Sequence, residues 1–465
     1  MAGEVWTKSA TEIAGLIASG QVSATEVLEA HLARIEEVNP SVNAVVRQLT
    51  DEARSAAADA DAAVLRGDDL GPLHGVPFSV KDDIDVAGDS TTYGIPLLAD
   101  AVATIDAPVV ERLRAAGAIP FIRTNMPDLG LRVHTDSALY GRTGNPWENG
   151  RTAGGSSGGE AVSLATGMSP LGLGDDIGGS LRNPAYACGV SSIKPSTFRI
   201  PAATTTMPGA PFLAEQLMSV VGVLARRVGD LRLAFSQVVG AHPRDPFAVS
   251  APLVGPESAR RVALVVEPEG GGTDPDVADG VRRAGAALRD AGYEVDEVMP
   301  PLLEEAYLSW TAWLLDDLRT IRPLLEMALS PDSLRFFEFG SALLDEPDVA
   351  KSAAVLQNRF EVAEAWSMFM EQYPLVVGPT WTQKPFVAGF DVADFESAAE
   401  VLELIRFVLP ANLLGLPAVC VPTGLGGGLP TGVQVIGRRF REDQCLDAAE
   451  AVETAMGVLT PIDPR

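Results

Sequence analysis

Two glycine-flanked serines and one lysine are the residues of this sequence best suited to covalent chemistry. Between Ala153 and Pro195 the chain reads Gly154-Gly155-Ser156-Ser157-Gly158-Gly159, then Gly174-Asp175-Asp176-Ile177-Gly178-Gly179-Ser180-Leu181-Arg182, then Cys188-Gly189 and Lys194-Pro195. Glycine beside a serine permits positive φ and lets a substrate come close to backbone amides. The N–H groups of Ile177, Gly178, Gly179 and Ser180 can then converge on one oxygen, an oxyanion hole beside the Ser180 hydroxyl.

Other readings of these residues compete. A GGSSGG run by itself is more often a flexible linker. Here the largely apolar stretch Ala161 to Ala165 follows directly, which a solvated linker would not have. Gly155, Ser157 and Gly159 also match G-x-S-x-G, the nucleophile elbow of an α/β-hydrolase. That chemistry needs a downstream histidine, and only His242 is available, inside a turn-like Gly-Ala-His-Pro-Arg-Asp-Pro stretch. A phosphate-binding loop fails because no Gly-Lys-Ser/Thr closes the segment. The four histidines, His31, His74, His134 and His242, have no metal-ligand spacing and read as structural.

A hydrolase without a histidine base must use another, and a lysine serves if desolvation lowers its pKa. Lys81 is the candidate. Val76, Phe78 and Val80 alternate with Pro77, Ser79 and Lys81, so Lys81 stands on a strand, on the face opposite the valines. A strand lysine is usually snorkelling or ion-paired, but the context Gly75-Val76-Pro77-Phe78-Ser79-Val80-Lys81-Asp82 favours the base.

Taken together, Lys81 in GVPFSVKD, the Gly154-to-Gly159 run and Asp176-Ile177-Gly178-Gly179-Ser180 resemble the amidase signature family. Thr124-Asn125-Met126-Pro127, Gly144-Asn145-Pro146-Trp147, Gly378-Pro379-Thr380 and Gly432-Val433-Gln434-Val435-Ile436-Gly437 extend the likeness from about residue 65 to 455. The resemblance implies an amidohydrolase with a Ser–cis-Ser–Lys triad: Ser180 as nucleophile, Ser156 after a cis bond from Gly155 as relay, and Lys81 as base. Gly155, Ser157, Asp175, Asp176 and Arg182 would support them. Aryl or alkyl amides, hydrazides and carbamates are all substrates such a site would take. No metal or organic cofactor is implied. The other activity built on this triad is that of the catalytic subunit of a glutamine-dependent tRNA amidotransferase, but the region from Ala306 to Phe339 lacks the arginine-rich stretch expected there.

An apolar, partly aromatic acyl pocket follows from Trp310 and Trp313 at i, i+3 and from Phe336 and Phe337, with core packing as the competing reading. By family position, Gly130, Leu131 and Trp381 are further walls. Asp175 departs from the Thr or Asn often found there. Either it ionises near Lys81 and raises the lysine's pKa, or it turns away to backbone amides and leaves Asp176 to pair with Arg182. The first is favoured.

The elements that must position these residues read as an α/β fold, one large mixed sheet with helices on both faces. Residues 8 to 65 read as helices, so the division expected is an N-terminal helical region over 1–65 and a catalytic domain over 66–465. The catalytic part carries a mainly helical substrate-side insertion at about 303–372. Leu425 to Pro430 reads as a hairpin turn. The chain has 465 residues, 46% of them apolar, enough for a large core without staples. Cys188, Cys420 and Cys445 are widely spaced and read as reduced thiols of a cytoplasmic protein. A net charge of −27 disfavours nucleic acid and anionic lipid as partners. No signal peptide or transmembrane helix is expected. The expected partner is a small-molecule amide, and a homodimer is left open.

Overall fold

The computed structural model describes residues 2–465 apart from 208, 346 and 347. The strands are β1 Val45–Gln48, β2 Pro77–Lys81, β3 Ile119–Thr124, the short pair β4 Asp136–Ser137 and β5 Gly141–Arg142, β6 Leu171–Asp176, β7 Ser191–Lys194, β8 Val220–Ala225, β9 Arg261–Leu264, β10 Glu294–Glu297, β11 Leu375–Pro379, β12 Ala418–Gly426 and β13 Leu429–Gly437, the central ones rich in β-branched and apolar residues and β4, β5 and the edge strand β10 polar. Apart from the β4–β5 pair, they make one eleven-stranded sheet in the order β1-β3-β2-β6-β8-β7-β12-β13-β11-β9-β10. The sheet is mixed: β2 runs parallel to both β3 and β6, whereas β6–β8, β8–β7, β7–β12 and β12–β13 are antiparallel. Every residue of β2, β3, β7, β11 and β13 is buried. Strands covered on both faces read as near-continuous apolar runs rather than alternating ones. The Leu425-to-Pro430 turn joins β12 to β13 as a hairpin.

The N-terminal stretch is helical over Ala10–Ala18, Ala24–Val42 and Thr50–Arg66, the first two helices opened by capping boxes at Ser9–Glu12 and Ser23–Glu26. It also contains β1, which the helical reading of residues 8–65 did not include. Asn43 takes a left-handed conformation that stops the second helix, and the Asn39 side chain accepts the Ala44 and Val45 N–H groups, both at 2.8 Å. The chain is thereby turned onto the sheet edge beside β3. A four-residue strand is too short to show a period in sequence.

The helices Leu303–Thr320, Arg322–Ala328, Pro331–Ala342 and Val349–Gln372 occupy the expected insertion. Leu315, Leu318, Leu325 and Phe337 form a small apolar cluster of their own. Among the described residues no helix is long and apolar enough to cross a membrane. All three cysteines are free and buried.

Candidate active site

β2 and β6 lie side by side and parallel, with Ser79 opposite Gly172 and Val80 opposite Leu173. Their carboxyl ends therefore emerge together, and Lys81 ends one strand while Asp175 and Asp176 end the other. Open α/β sheets bind ligands outside such strand ends. Ser156 comes from the loop before the helix Gly158–Ala165, and Ser180 from the turn before the helix Arg182–Cys188. The Ser157 N–H donates to the Ser180 carbonyl at 3.2 Å, which ties the two serine loops together. The Gly155–Ser156 peptide is cis. A Cβ on Gly155 would stand 2.5 Å from the Arg132 carbonyl oxygen, so no larger residue fits there.

Lys81 is fully buried, and its Nζ donates to Ser156 Oγ at 2.7 Å. Two carboxylates share the same ammonium: Asp175 Oδ1 in direct contact, and Asp83 Oδ2 at 2.9 Å. Burial pulls the lysine down, but Asp175 and Asp83 outweigh it and hold Lys81 above its ordinary range. Asp83 itself is pushed up to about 7, first by burial and then by the Asp175 charge. Asp175 thus faces the lysine, and Asp176 pairs with Arg182; the two sequence alternatives share the assignment between them.

Asp176 anchors the turn that carries Ser180. It receives the Arg182 guanidinium twice at 3.0 Å, the Gly179 N–H at 2.8 Å, the Leu181 N–H at 3.2 Å and the Asn412 amide at 2.9 Å. Burial alone would raise it, yet Arg182 holds it below the usual carboxylate range. The Gly179 N–H donates inward to Asp176, so of the four amides expected to form an oxyanion hole those of Ile177, Gly178 and Ser180 are left for that role.

A cavity of about 220 Å³ opens over Ser180 and Gly155. Gly130, Leu131, Trp310, Phe336 and Phe337 line it as expected, with leucines and isoleucines such as Leu314, Leu318 and Ile405 among the rest and Asp83, Asp175, Glu215 and Asp317 as acidic members. Trp310 is fixed by donating its indole N–H to the Ile177 carbonyl at 2.8 Å. Two expected walls lie elsewhere. Trp381 is fully buried, stacks on Phe386 with centroids 5.7 Å apart, and donates to Asn183 Oδ1 at 2.9 Å. Asn183 in turn donates to the Gly178 carbonyl at 3.1 Å, so Trp381 supports the turn at 177–180 from behind. Trp313, one helical turn from Trp310, faces away under the Arg359 guanidinium, 5.6 Å from its ring. Ser157 is buried beside the site, and its hydroxyl has no partner among the described residues.

Sequence reasoning missed four residues. Asp83 sits two positions past Lys81, where the lysine–aspartate–aspartate run was the available signal. Asn183 carried none. Glu160 is buried and accepts the hydroxyls of Ser79 and Thr124, and burial pushes it up to about 8 despite them. Glu215 opens onto the cavity, and the surrounding protein and Asp175 push it up to about 7. Among the described residues no cluster of His, Cys, Asp and Glu could hold a metal ion.

A family model described as Amidase matches residues 26–446. The chain belongs to the amidase signature family. It is 41% identical to an indoleacetamide hydrolase of Bradyrhizobium diazoefficiens, over 98% of this chain and 88% of that protein. It is 31% identical to a glutamyl-tRNA(Gln) amidotransferase subunit of Salinispora tropica, over 97% of this chain and 98% of that one. A solved structure of 6-aminohexanoate cyclic dimer hydrolase with substrate superimposes with a TM-score of 0.83 at 29% identity, over 97% of this chain and 98% of that chain. As a member of this family, the protein is an amide-hydrolysing enzyme.

Proposed function

We propose that the chain hydrolyses uncharged amides with an apolar, aromatic acyl group, of the arylacetamide type named for its indoleacetamide hydrolase relative, through an acyl-enzyme on Ser180. The observation that carries this is the buried Lys81–Ser156 hydrogen bond of 2.7 Å beside a serine that opens onto an apolar cavity. Neutral Lys81 takes the Ser156 proton while Ser156 takes that of Ser180. The Ser180 Oγ attacks the carbonyl carbon, and the C–O π pair moves onto the oxygen, held by the Ile177, Gly178 and Ser180 amides. The relay then returns the proton to the leaving nitrogen, the C–N bond breaks, and water hydrolyses the ester by the same route. No step calls on a metal or organic cofactor.

The acyl preference rests on the cavity wall. Trp310, Phe336 and Phe337 offer aromatic surface, and the lining guanidinium of Arg132 is already paired with Asp391 at 2.8 Å. A carboxylate on the acyl group would meet Asp83, Asp175 and Glu215 and no free cation among the described lining residues. The likeness to an amidotransferase subunit supports a second reading, in which the chain releases ammonia from glutamine within a larger assembly.

The test is a panel of arylacetamides, anilides, hydrazides and glutamine with the purified single chain. Arylacetamides should turn over without any partner. Ser180→Ala should lower kcat at least about 10³-fold with the fold intact, and Ser156→Ala and Lys81→Ala should each cost a large factor. Near wild-type turnover in Ser180→Ala, or a clear preference for glutamine, would sink the proposal.

A further inference from the structure

The lysine that the triad reading makes a base is held as an ammonium between two carboxylates. It cannot take a proton until it has lost one, and it is sealed from bulk water, so the proton must go to a neighbour. Among the described residues, the side chains that touch Nζ are those of Ser156, Asp175 and Asp83. Ser156 is the next donor in the relay and cannot be the acceptor.

The acidic run after β2 separates its three aspartates by partner. Asp82 is taken by Arg47 at 2.6 Å. Asp85 accepts from Thr204 at 3.1 Å and from Thr206 at 2.7 Å. Asp83 is the one of the three that turns to Lys81. Its side chain is 7% exposed, and its second oxygen, Oδ1, has no hydrogen-bond partner among the described residues. A buried carboxylate oxygen left unpaired is costly as an anion and much less so in a neutral carboxyl. Asp175, by contrast, is 30% exposed and keeps contact with solvent. Beyond these, Tyr93 faces Asp83, with burial raising its phenol so that it stays neutral. Glu215 lies near Asp175, and Glu160, on the helix Gly158–Ala165, feels the charges of Lys81 and of Arg123 on β3.

We propose that Asp83 is a positioning residue that acts through Lys81 as the seat of the proton the lysine sheds, so that the working base is an aspartate–lysine pair. The inference rests on the triad reading given above. One N–H bond of the ammonium breaks as one O–H bond forms on Asp83 Oδ2, both charges vanish, and the amine lone pair turns to the Ser156 hydroxyl. The lysine then receives the Ser156 proton and returns it to the leaving nitrogen, while Asp83 keeps its own until the cycle closes. The pair works only when Asp83 enters the cycle ionised, and burial with the Asp175 charge sets its titration at about 7.

The experiment compares kcat/KM against pH on a neutral arylacetamide for the wild type, Asp83→Asn, Asp83→Glu, Lys81→Ala and Ser180→Ala. The wild type should rise through an acidic limb near neutral pH. Asp83→Asn should lose that limb and at least about tenfold in kcat at the plateau, with KM moved less than about threefold, and Asp83→Glu should recover part. A folded Asp83→Asn enzyme with wild-type kcat, or one whose limb simply slides to lower pH with activity gained, overturns the proposal. Should Asp83→Asn not fold, infrared titration of a Glu160→Gln/Glu215→Gln enzyme decides. The absence of a protonated carboxyl band that titrates near neutral pH overturns the proposal, and its presence supports it. Turnover in Lys81→Ala or Ser180→Ala would instead overturn the triad reading itself.

Discussion

Gly178 is the position where a single methyl group tests the geometry of the whole site. Its backbone is one that alanine can adopt, because its φ is not positive, so any effect must be steric. A Cβ there would stand 2.4 Å from Cζ2 and 2.9 Å from Cη2 of Trp310. Carbon atoms rest about 3.5–4.0 Å apart, so the indole or the turn must give by roughly 1 Å or more. The indole is not free to give: its N–H is bound to the Ile177 carbonyl at 2.8 Å, and the ring is almost fully buried. Overpacking of this kind costs about 1–3 kcal/mol, and loss of the indole hydrogen bond adds about 0.5–1.5 kcal/mol. Gly178→Ala should therefore lose about 1.5–4.5 kcal/mol of stability by those two terms. If the turn moves instead of the ring, the Gly178 amide leaves the oxyanion position, and kcat should fall by about 10²–10³. Chemical unfolding and kcat/KM on an arylacetamide read the two terms separately. The double variant Gly178→Ala/Trp310→Ala should be less damaged than the sum of the singles, because the truncated side chain vacates the clash. A Gly178→Ala enzyme as stable and as active as the wild type would refute the placement of Trp310 against the oxyanion turn.

Three further outcomes are expected. Asp175→Asn removes a negative charge that holds both Lys81 and Asp83 up, so the acidic limb of kcat/KM should move to lower pH; a limb that stays in place in an active variant would show that Asp175 does not tune the lysine. Glu160 has a folded-state pKa raised to about 8 from 4.5, so its contribution to stability is fully present below 4.5 and is lost as pH rises through 8. Glu160→Gln should therefore lose less Tm than the wild type as pH rises from 4.5 to about 8; Tm curves that run parallel across that window would contradict it. Replacing an aryl acyl group by one that ends in a carboxylate should lower kcat/KM by raising KM, since the lining offers Asp83, Asp175 and Glu215; equal KM values for matched neutral and anionic amides would count against the acidic rim.

How much of this was legible in the sequence depended on whether the signal was local. The paired serine loops and Lys81 could be read because glycine-dense turns and a lone strand lysine are unusual by composition. The strands β9, β11 and β12 have local signals too, the apolar runs at residues 262–264, 375–377 and 418–421. β1 could not be read, because a side-chain turn made by Asn39 decides it rather than a period. The walls divided on the same principle: Trp310 and Trp313 share a helical stripe, but which indole meets the oxyanion turn is fixed by a bond to Ile177, 133 residues away. Trp381 was placed on the wrong side of the turn because its partner, Asn183, is 198 residues distant. Asp83 is the telling case. It stands in plain view beside Lys81, yet three aspartates follow within four residues of that lysine, and sequence cannot say which of them turns inward. Only the arrangement of Arg47 against Asp82 and of the Thr204–Thr206 loop against Asp85 leaves Asp83 with the lysine. The family motif thus brings Ser156 and Ser180 to the strand ends, while the charge state of Lys81 is decided by side chains from separate parts of the chain. Variation in pH behaviour among enzymes with this triad should accordingly track the residues at positions 83 and 175 rather than the motif.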